Sequence, residues 1–291
     1  MGDIFSHLGV ALMRTMAWLP LPVVRALGWL LGWVLYRAVP SRRKVVAKNL
    51  SLCFPELLPQ QLKGLEREVF TYFAQAWLDR GWLWHAPRAV VNARLNLTGA
   101  VHGLDGSGPT VIFAPHFMGM DAGGTALSGK VARQFTSIYT DQSNKVVDAW
   151  MLAGRKRAGN TRMFGRIDGV REITQSLRAG EPLYLLPDMD FGDKGAEFVP
   201  FFGTTAATVP SLPRFARLGK AKVVPVITRL TATGYDVQVL PPWQNFPTHD
   251  VHADTARMNA ELEAYIRSMP AQYYWVHKRF KTRPAGEAEL Y

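Results

Sequence analysis

The chain has 291 residues, 48% of them apolar, with 34 Lys and Arg against 23 Asp and Glu and a net charge of +11. This excludes a disordered tail, allows one large domain or two modest ones, and favours an anionic partner such as nucleic acid or a phospholipid surface. A lone cysteine, Cys53, excludes an internal disulfide and multi-thiolate zinc fingers and fits a reducing, intracellular address.

Residues 1–40 are strongly apolar, but Arg14, Arg25 and Arg37 interrupt them and Pro20 and Pro22 sit inside. The longest uncharged stretch, Ala26 to Tyr36, falls short of the roughly 20 residues a spanning helix needs. A cleaved signal peptide fits poorly, for there is no short basic start and no small-residue cleavage site. The segment reads as a hydrophobic helical membrane anchor that enters or lies in one leaflet, with Trp18, Trp29, Trp33 and Tyr36 at the interface. Arg42, Arg43, Lys44 and Lys48 follow it, placed to meet phospholipid headgroups. The alternative is a soluble helical hairpin packed on the domain.

Residues 41–291 read as a helical segment, 41–92, followed by an α/β core, with no repeat or linker dividing them. A helix is expected from about Pro59, with Leu62, Leu65, Val69, Phe73 and Trp77 on one stripe. That stripe is either core or the lining of an acyl groove. From residue 95 short strands alternate with helices: ARLNLTG, TVIFAP, FTSIYT, PLYLLPD, KVVPVITRL and YDVQVLPP read as strands. Helices are expected from about Met118, over NKVVDAWMLAGRKRAG, over IDGVREITQSLRAG with a stop at Gly180, and over DTARMNAELEAYIRSMP with Asp254 as its cap. The pattern predicts one α/β domain with a mostly buried sheet flanked by helices, preceded by the anchor.

The spacing His-x4-Asp occurs twice, at His116/Asp121 and His249/Asp254, so spacing alone proves nothing. Context separates the two pairs. His116 follows an apolar strand and a proline, where α/β folds open their ligand crevice. Asp121 falls in the first turn of the next helix, able to look back and fix the imidazole tautomer. Gly119, Gly123 and Gly124 allow close approach of substrate or backbone. The second pair lies with Asp250 and His252 in a polar loop; it lacks further metal ligands, and capping accounts for Asp254. No Gly-x-Ser-x-Gly elbow, P-loop or Gly-x-Gly-x-x-Gly is present, so neither a serine nucleophile nor a nucleotide cofactor has support. If His116 is a base, the nucleophile is a hydroxyl or water supplied with the substrate.

Beyond HFMGMD, three stretches in order carry a resemblance: SRRKVVAKNLSLCFPEL, LLPDMDFGDKGAEFVPFFG and QYYWVHKRFKTRP. The chain resembles the late acyltransferases of lipid A biosynthesis, the lauroyl/myristoyl type within the glycerolipid acyltransferases. The resemblance implies an acyl carrier protein thioester as donor and a hydroxyl on a phosphorylated glycolipid as acceptor. It also implies the cytoplasmic face of a Gram-negative inner membrane. No cofactor is expected, and no nucleic acid, since no basic-aromatic recognition motif accompanies the net charge. The family's histidine and acidic partner fall on His116 and Asp121, its Gly-Arg-x-Arg on Gly154, Arg155 and Arg157, its next arginine on Arg166, and its Asp-x-Asp on Asp188 and Asp190. The arginines and these two aspartates are the expected substrate-binding residues. Two departures stand out: Asp rather than the commoner Glu at 121, and Thr140 and Lys145 where the family carries Arg and Pro. Acyl transfer to another membrane lipid, thioester hydrolysis, and non-catalytic lipid binding are the rival readings.

Overall fold

Helices open the chain and strands then alternate with them. The structure, a computed structural model, describes residues 2–165 and 169–291. In chain order they are α1 (Gly2–Thr15), α2 (Leu21–Ala38), α3 (Pro40–Cys53), α4 (Pro59–His85), α5 (Arg88–Arg94), β1 (Leu95–Gly99), β2 (Thr110–Phe113), α6 (Met120–Lys130), β3 (Phe135–Tyr139), α7 (Lys145–Lys156), β4 (Thr161–Gly165), α8 (Val170–Arg178), β5 (Leu183–Leu185), β6 (Glu197–Phe201), β7 (Thr204–Thr208), α9 (Ser211–Gly219), β8 (Lys222–Thr231), β9 (Gly234–Val239) and α10 (Val251–Ser268). Proline opens α3 and α4, where its missing N–H costs no helix bond.

Among the described residues the main sheet has seven strands in the order β1-β9-β8-β2-β5-β3-β4. From β8 to β4 all neighbours are parallel, whereas β9 returns antiparallel to β8 through a tight turn. The central strands β2 and β5 are buried on both faces, which is why they read as unbroken apolar runs rather than alternating ones. β6 and β7 form a separate hairpin. The carboxyl ends of β2, β5, β3 and β4 therefore share one edge, and the loops that leave it build the site.

No helix among the described residues is long and apolar enough to cross a membrane. The expected anchor is instead α1 and α2, packed on α4. Leu21, Val24, Gly28 and Gly32 bury one face of α2. The glycines permit the contact: a Cβ on Gly28 would stand 2.6 Å from Gln75 Cγ, and one on Gly32 2.7 Å from the Phe70 carbonyl. Arg25 interrupts the apolar run for a structural reason. It reaches Asp79 at 2.6 Å, and Asp79 also accepts from Trp82 Nε1 and the Tyr235 hydroxyl. The opposite side of these helices stays bare, with Phe5 71%, Trp18 83% and Trp29 58% exposed. In the basic segment, Arg42 and Arg43 donate to the carbonyls of Val276 and Tyr36.

The anticipated strands all form. β4, β6, β7, α5 and α9 were not legible as elements, being short and weakly patterned. The cap expected of Asp254 belongs to Asp250, whose carboxylate accepts from Ala253 N at 2.9 Å. The last helix thus starts earlier, at Val251, with Asp254 and Thr255 already buried in its first turns. Asp254 instead accepts from the backbone and hydroxyl of Thr248 at 2.9 and 3.0 Å.

Candidate active site

His116 lies three residues beyond Phe113, the last residue of β2, and Asp188 lies three beyond Leu185, the last of β5. Phe113 and Leu185 are register partners in adjacent parallel strands, and each strand leaves the sheet through a proline, Pro115 or Pro187. Equal offsets bring the two side chains together. His116 Nδ1 stands 2.9 Å from Asp188 Oδ1, and the His116 amide donates to Asp188 Oδ2 at 3.0 Å. The Tyr273 hydroxyl donates to Oδ2 at 2.9 Å. Burial alone would raise the Asp188 pKa, but His116 and these donors outweigh it and hold the carboxyl below its ordinary range.

Asp121 therefore does not hold the imidazole, as its spacing led one to expect. Met120 opens α6, and the next residue, Asp121, faces two arginines: Arg80 Nε of α4 at 2.7 Å and Arg155 Nε of α7 at 2.8 Å. Burial again opposes ionisation, and Arg155 and Arg80 overcome it, leaving the carboxyl well below the usual carboxylate range. The clamp joins three helices around one buried anion. The Arg80 guanidinium also lies over the ring of Trp77, 4.4 Å from its centroid.

The carboxyl-terminal segment closes the site from behind. The Tyr274 amide donates to the His116 carbonyl at 3.0 Å, and Met118 N donates to the Gln272 carbonyl at 2.8 Å. Gly119 and Gly123 serve close packing: a Cβ would stand 2.6 Å from Thr228 Cγ2 in the first case and 2.4 Å from its Oγ1 in the second. Only Gly124 of the three faces the cavity.

Two cavities meet at His116. The larger, about 770 Å³, runs beside β3 and β4 and is lined by apolar side chains such as Met120, Phe135, Ile138, Met163, Ile173 and Phe215. Its size lies within the range of about 300–1,000 Å³ typical of ligand pockets. The smaller, about 220 Å³, lies on the α4 side, where Phe73, Trp77 and Tyr274 line it. The helical stripe of α4 is thus divided, with Val69 in the core and Phe73 and Trp77 at the crevice. His116 and Arg155 border both cavities.

The other expected substrate residues are dispersed. Arg157 donates to the Ala86 carbonyl at 2.7 Å and borders a different cavity beyond α7. Asp190 accepts from Thr282 N and Oγ1 at 2.7 and 2.8 Å and from Gly192 N at 2.9 Å, tying down the chain's end. Arg166 lies outside the described residues. Arg80 was missed; one polar residue on a helix rich in aromatics carries no signal of its own. The part Asp188 plays had a signal, the parallel endings APH and LPD of two buried strands. Cys53 is buried and its thiol is pushed far up by burial, which makes it a poor nucleophile.

The sequence model of the family described as bacterial lipid A biosynthesis acyltransferase matches residues 2–282. The chain is 31% identical to the lipid A biosynthesis palmitoleoyltransferase of Escherichia coli (strain K12), across 94% of this chain and 90% of that protein. It is 31% identical to the lauroyltransferase of the same organism, across 98% and 94%. For the myristoyltransferase the identity is 32%, across 98% and 90%.

Proposed function

Because the chain belongs to the bacterial lipid A biosynthesis acyltransferases and is an acyltransferase, we propose that it moves a fatty acyl group from an acyl carrier protein thioester to a hydroxyl of a phosphorylated lipid A precursor. The observation that carries this reading is the imidazole of His116. Its Nδ1 is held by the buried Asp188, and its ring lies between an apolar cavity and a second crevice.

Asp188 accepts a hydrogen bond from Nδ1–H, which leaves Nε2 with its lone pair as the base. The acyl chain lies along β3 and β4, and the acceptor hydroxyl enters from the α4 side. Nε2 takes the hydroxyl proton while the oxygen attacks the thioester carbonyl carbon. The tetrahedral oxyanion then collapses, the C–S bond breaks, and the imidazolium returns the proton to the leaving thiolate. No acyl-enzyme forms, since the described residues offer no activated nucleophile. Among the amides entering α6, those of Met118 and Met120 are engaged by Gln272 and Phe117. That of Asp121, a residue lining the larger cavity, is the oxyanion donor, with Arg155 beside it. The Arg80–Asp121–Arg155 clamp fixes α4, α6 and α7 around the reacting groups. In this reading Arg157 and Asp190 act from outside the reacting centre, and Arg166 is a candidate for binding the acceptor's phosphates.

The bare apolar faces of α1 and α2 lie flat on the cytoplasmic side of a Gram-negative inner membrane, so that residues 1–40 attach in one leaflet among its phospholipids and 41–291 form the acyltransferase domain. The test mixes purified protein in detergent with acyl carrier protein thioesters of several chain lengths and a tetra-acylated precursor, and reads products by mass spectrometry beside His116→Ala. A precursor heavier by one acyl group, absent with the variant, is expected. Free fatty acid with unmodified precursor would make the protein a hydrolase instead, and full turnover by the variant would remove His116 from the chemistry.

A further inference from the structure

Beyond α7, on the side away from His116, lies a cavity of about 820 Å³ between α1, α4 and α7. Four cationic side chains line it, Arg14, Lys145, Lys156 and Arg157, together with the imidazoles of His7 and His85. No carboxylate is among its lining residues. Such a concentration of one sign of charge in a concave site attracts an anion. Burial, with lesser help from Arg14 and Arg157, holds the His85 imidazole below its usual range. Trp150 Nε1 donates to His85 Nε2 at 2.9 Å. Trp84, which also lines the cavity, is only 2% exposed and its indole N–H has no hydrogen-bond partner among the described residues.

The surroundings identify the class of anion. One face of α1 contributes His7, Val10 and Arg14 to the cavity. Elsewhere on the same helix Ile4, Phe5, Leu8 and Leu12 are bare, between 59% and 71% exposed. Asn144, the cap of α7, donates to Ser6 Oγ at 2.8 Å and fastens α1 in that orientation. A basic hollow beside an uncovered apolar row matches a lipid, whose phosphate and hydrocarbon ask for both. A soluble anion or an acidic protein would leave the apolar row in water.

We propose that this groove binds the phosphate of an anionic membrane-lipid headgroup, separately from the catalytic pocket. The proposal rests on the membrane attachment proposed above, and its test distinguishes the two. Arg14, Lys145 and Lys156 are exposed, so Arg14→Gln/Lys145→Gln/Lys156→Gln leaves the core intact. A charge-matched control, Arg171→Gln/Arg214→Gln/Lys220→Gln, removes exposed charges from α8, α9 and the residue that follows α9. Partition onto phosphatidylglycerol vesicles at about 0.1 M salt is expected to weaken about 10- to 100-fold in the groove variant and much less in the control. Equal losses in both would reduce the effect to net charge and overturn the site.

A solution arm uses dihexanoyl-phosphatidylglycerol below its micelle concentration and follows the His85 imidazole by NMR. A shift in the wild type, absent in the groove variant, is expected; no shift overturns the proposal. Inorganic phosphate producing the same shift at the same concentration would make this a free-phosphate site, against the lipid assignment. Failure of the wild type to bind any vesicle would sink membrane attachment, while the soluble lipid still reads the groove. Unchanged vesicle binding with weakened affinity for acyl carrier protein would turn the groove into a protein dock and overturn the lipid assignment too.

Discussion

His116 and Asp188 are 72 positions apart in sequence, yet Nδ1 and Oδ1 stand 2.9 Å apart because β2 and β5 are parallel neighbours ending in register. The pairing is a property of the sheet rather than of the local His-x4-Asp spacing. Tyr273 and the His116 amide bind Asp188 Oδ2, and the imidazole binds Oδ1. Asp121 is the second anion of the site, and its arginine partners tie together the helices that face the cavities.

Asp188→Asn is expected to keep the fold, because Asn still accepts from Tyr273, while the imidazole loses its tautomer control. Turnover should fall about 10²- to 10⁴-fold, with the acid limb of the pH–rate profile displaced. The check is kcat against pH for wild type and variant with one thioester. A variant within threefold of wild type would remove Asp188 from the mechanism.

Asp121→Ala acts through different physics. It strands Arg80 and Arg155, both part-buried, without their shared anion, a change that costs about 3–5 kcal/mol where a buried pair is broken. Both Tm and turnover should drop, whereas Asp188→Asn lowers turnover alone. The pH dependence has a definite sign. The folded pKa of Asp121 lies below its unfolded value, so its stabilisation is complete above about pH 4 and is lost as pH falls below that. Asp121→Asn should therefore flatten the loss of stability below about pH 4, measured by urea unfolding. An equally steep acid limb in the variant would assign that limb to other carboxylates.

Periodicity and apolar runs made the long helices and the core strands legible. The strand-end placement of His116 followed from that same pattern. What stayed hidden was pairing across the sheet: strand order brings β5, not β3, beside β2, and no local pattern in either strand states it. Asp121 was read as the partner because it is near in sequence. Its true neighbours come from α4 and α7, whose approach depends on tertiary packing. Arg25 looked like a charge interrupting an anchor until its distant partner Asp79 was seen.

Thr161 tests the placement of the acyl chain. It is the register partner of Phe135, at the end of β3 and β4 farthest from His116, about 13 Å along the strands at roughly 3.3 Å per residue. Its buried hydroxyl has no partner among the described residues and it lines the apolar cavity. Thr161→Val should leave stability unchanged or raise it by about 1 kcal/mol. Thr161→Phe should shorten the preferred acyl chain by shortening the cavity. Competition between thioesters of different length, read by mass spectrometry, measures this; an unchanged preference would place the chain elsewhere.

His277 supplies a pH effect outside the acid range. Its Nε2 accepts from the Asp190 amide at 2.9 Å, a bond only the unprotonated nitrogen can make. Burial, then Arg279 and His116, lower its pKa to about 4. An unfolded chain binds this proton near pH 6.5, so between about pH 6.5 and pH 4 the unfolded state carries more protons and stability falls with pH. At the bottom of that window the loss is on the order of 3 kcal/mol. His277→Gln keeps an acceptor for the Asp190 amide but cannot titrate. Its unfolding free energy should vary less between pH 7 and 4.5 than that of the wild type, with the two diverging toward the acid end, where the variant is the more stable. Parallel curves would mean that protonation of the unfolded chain at other histidines sets the slope.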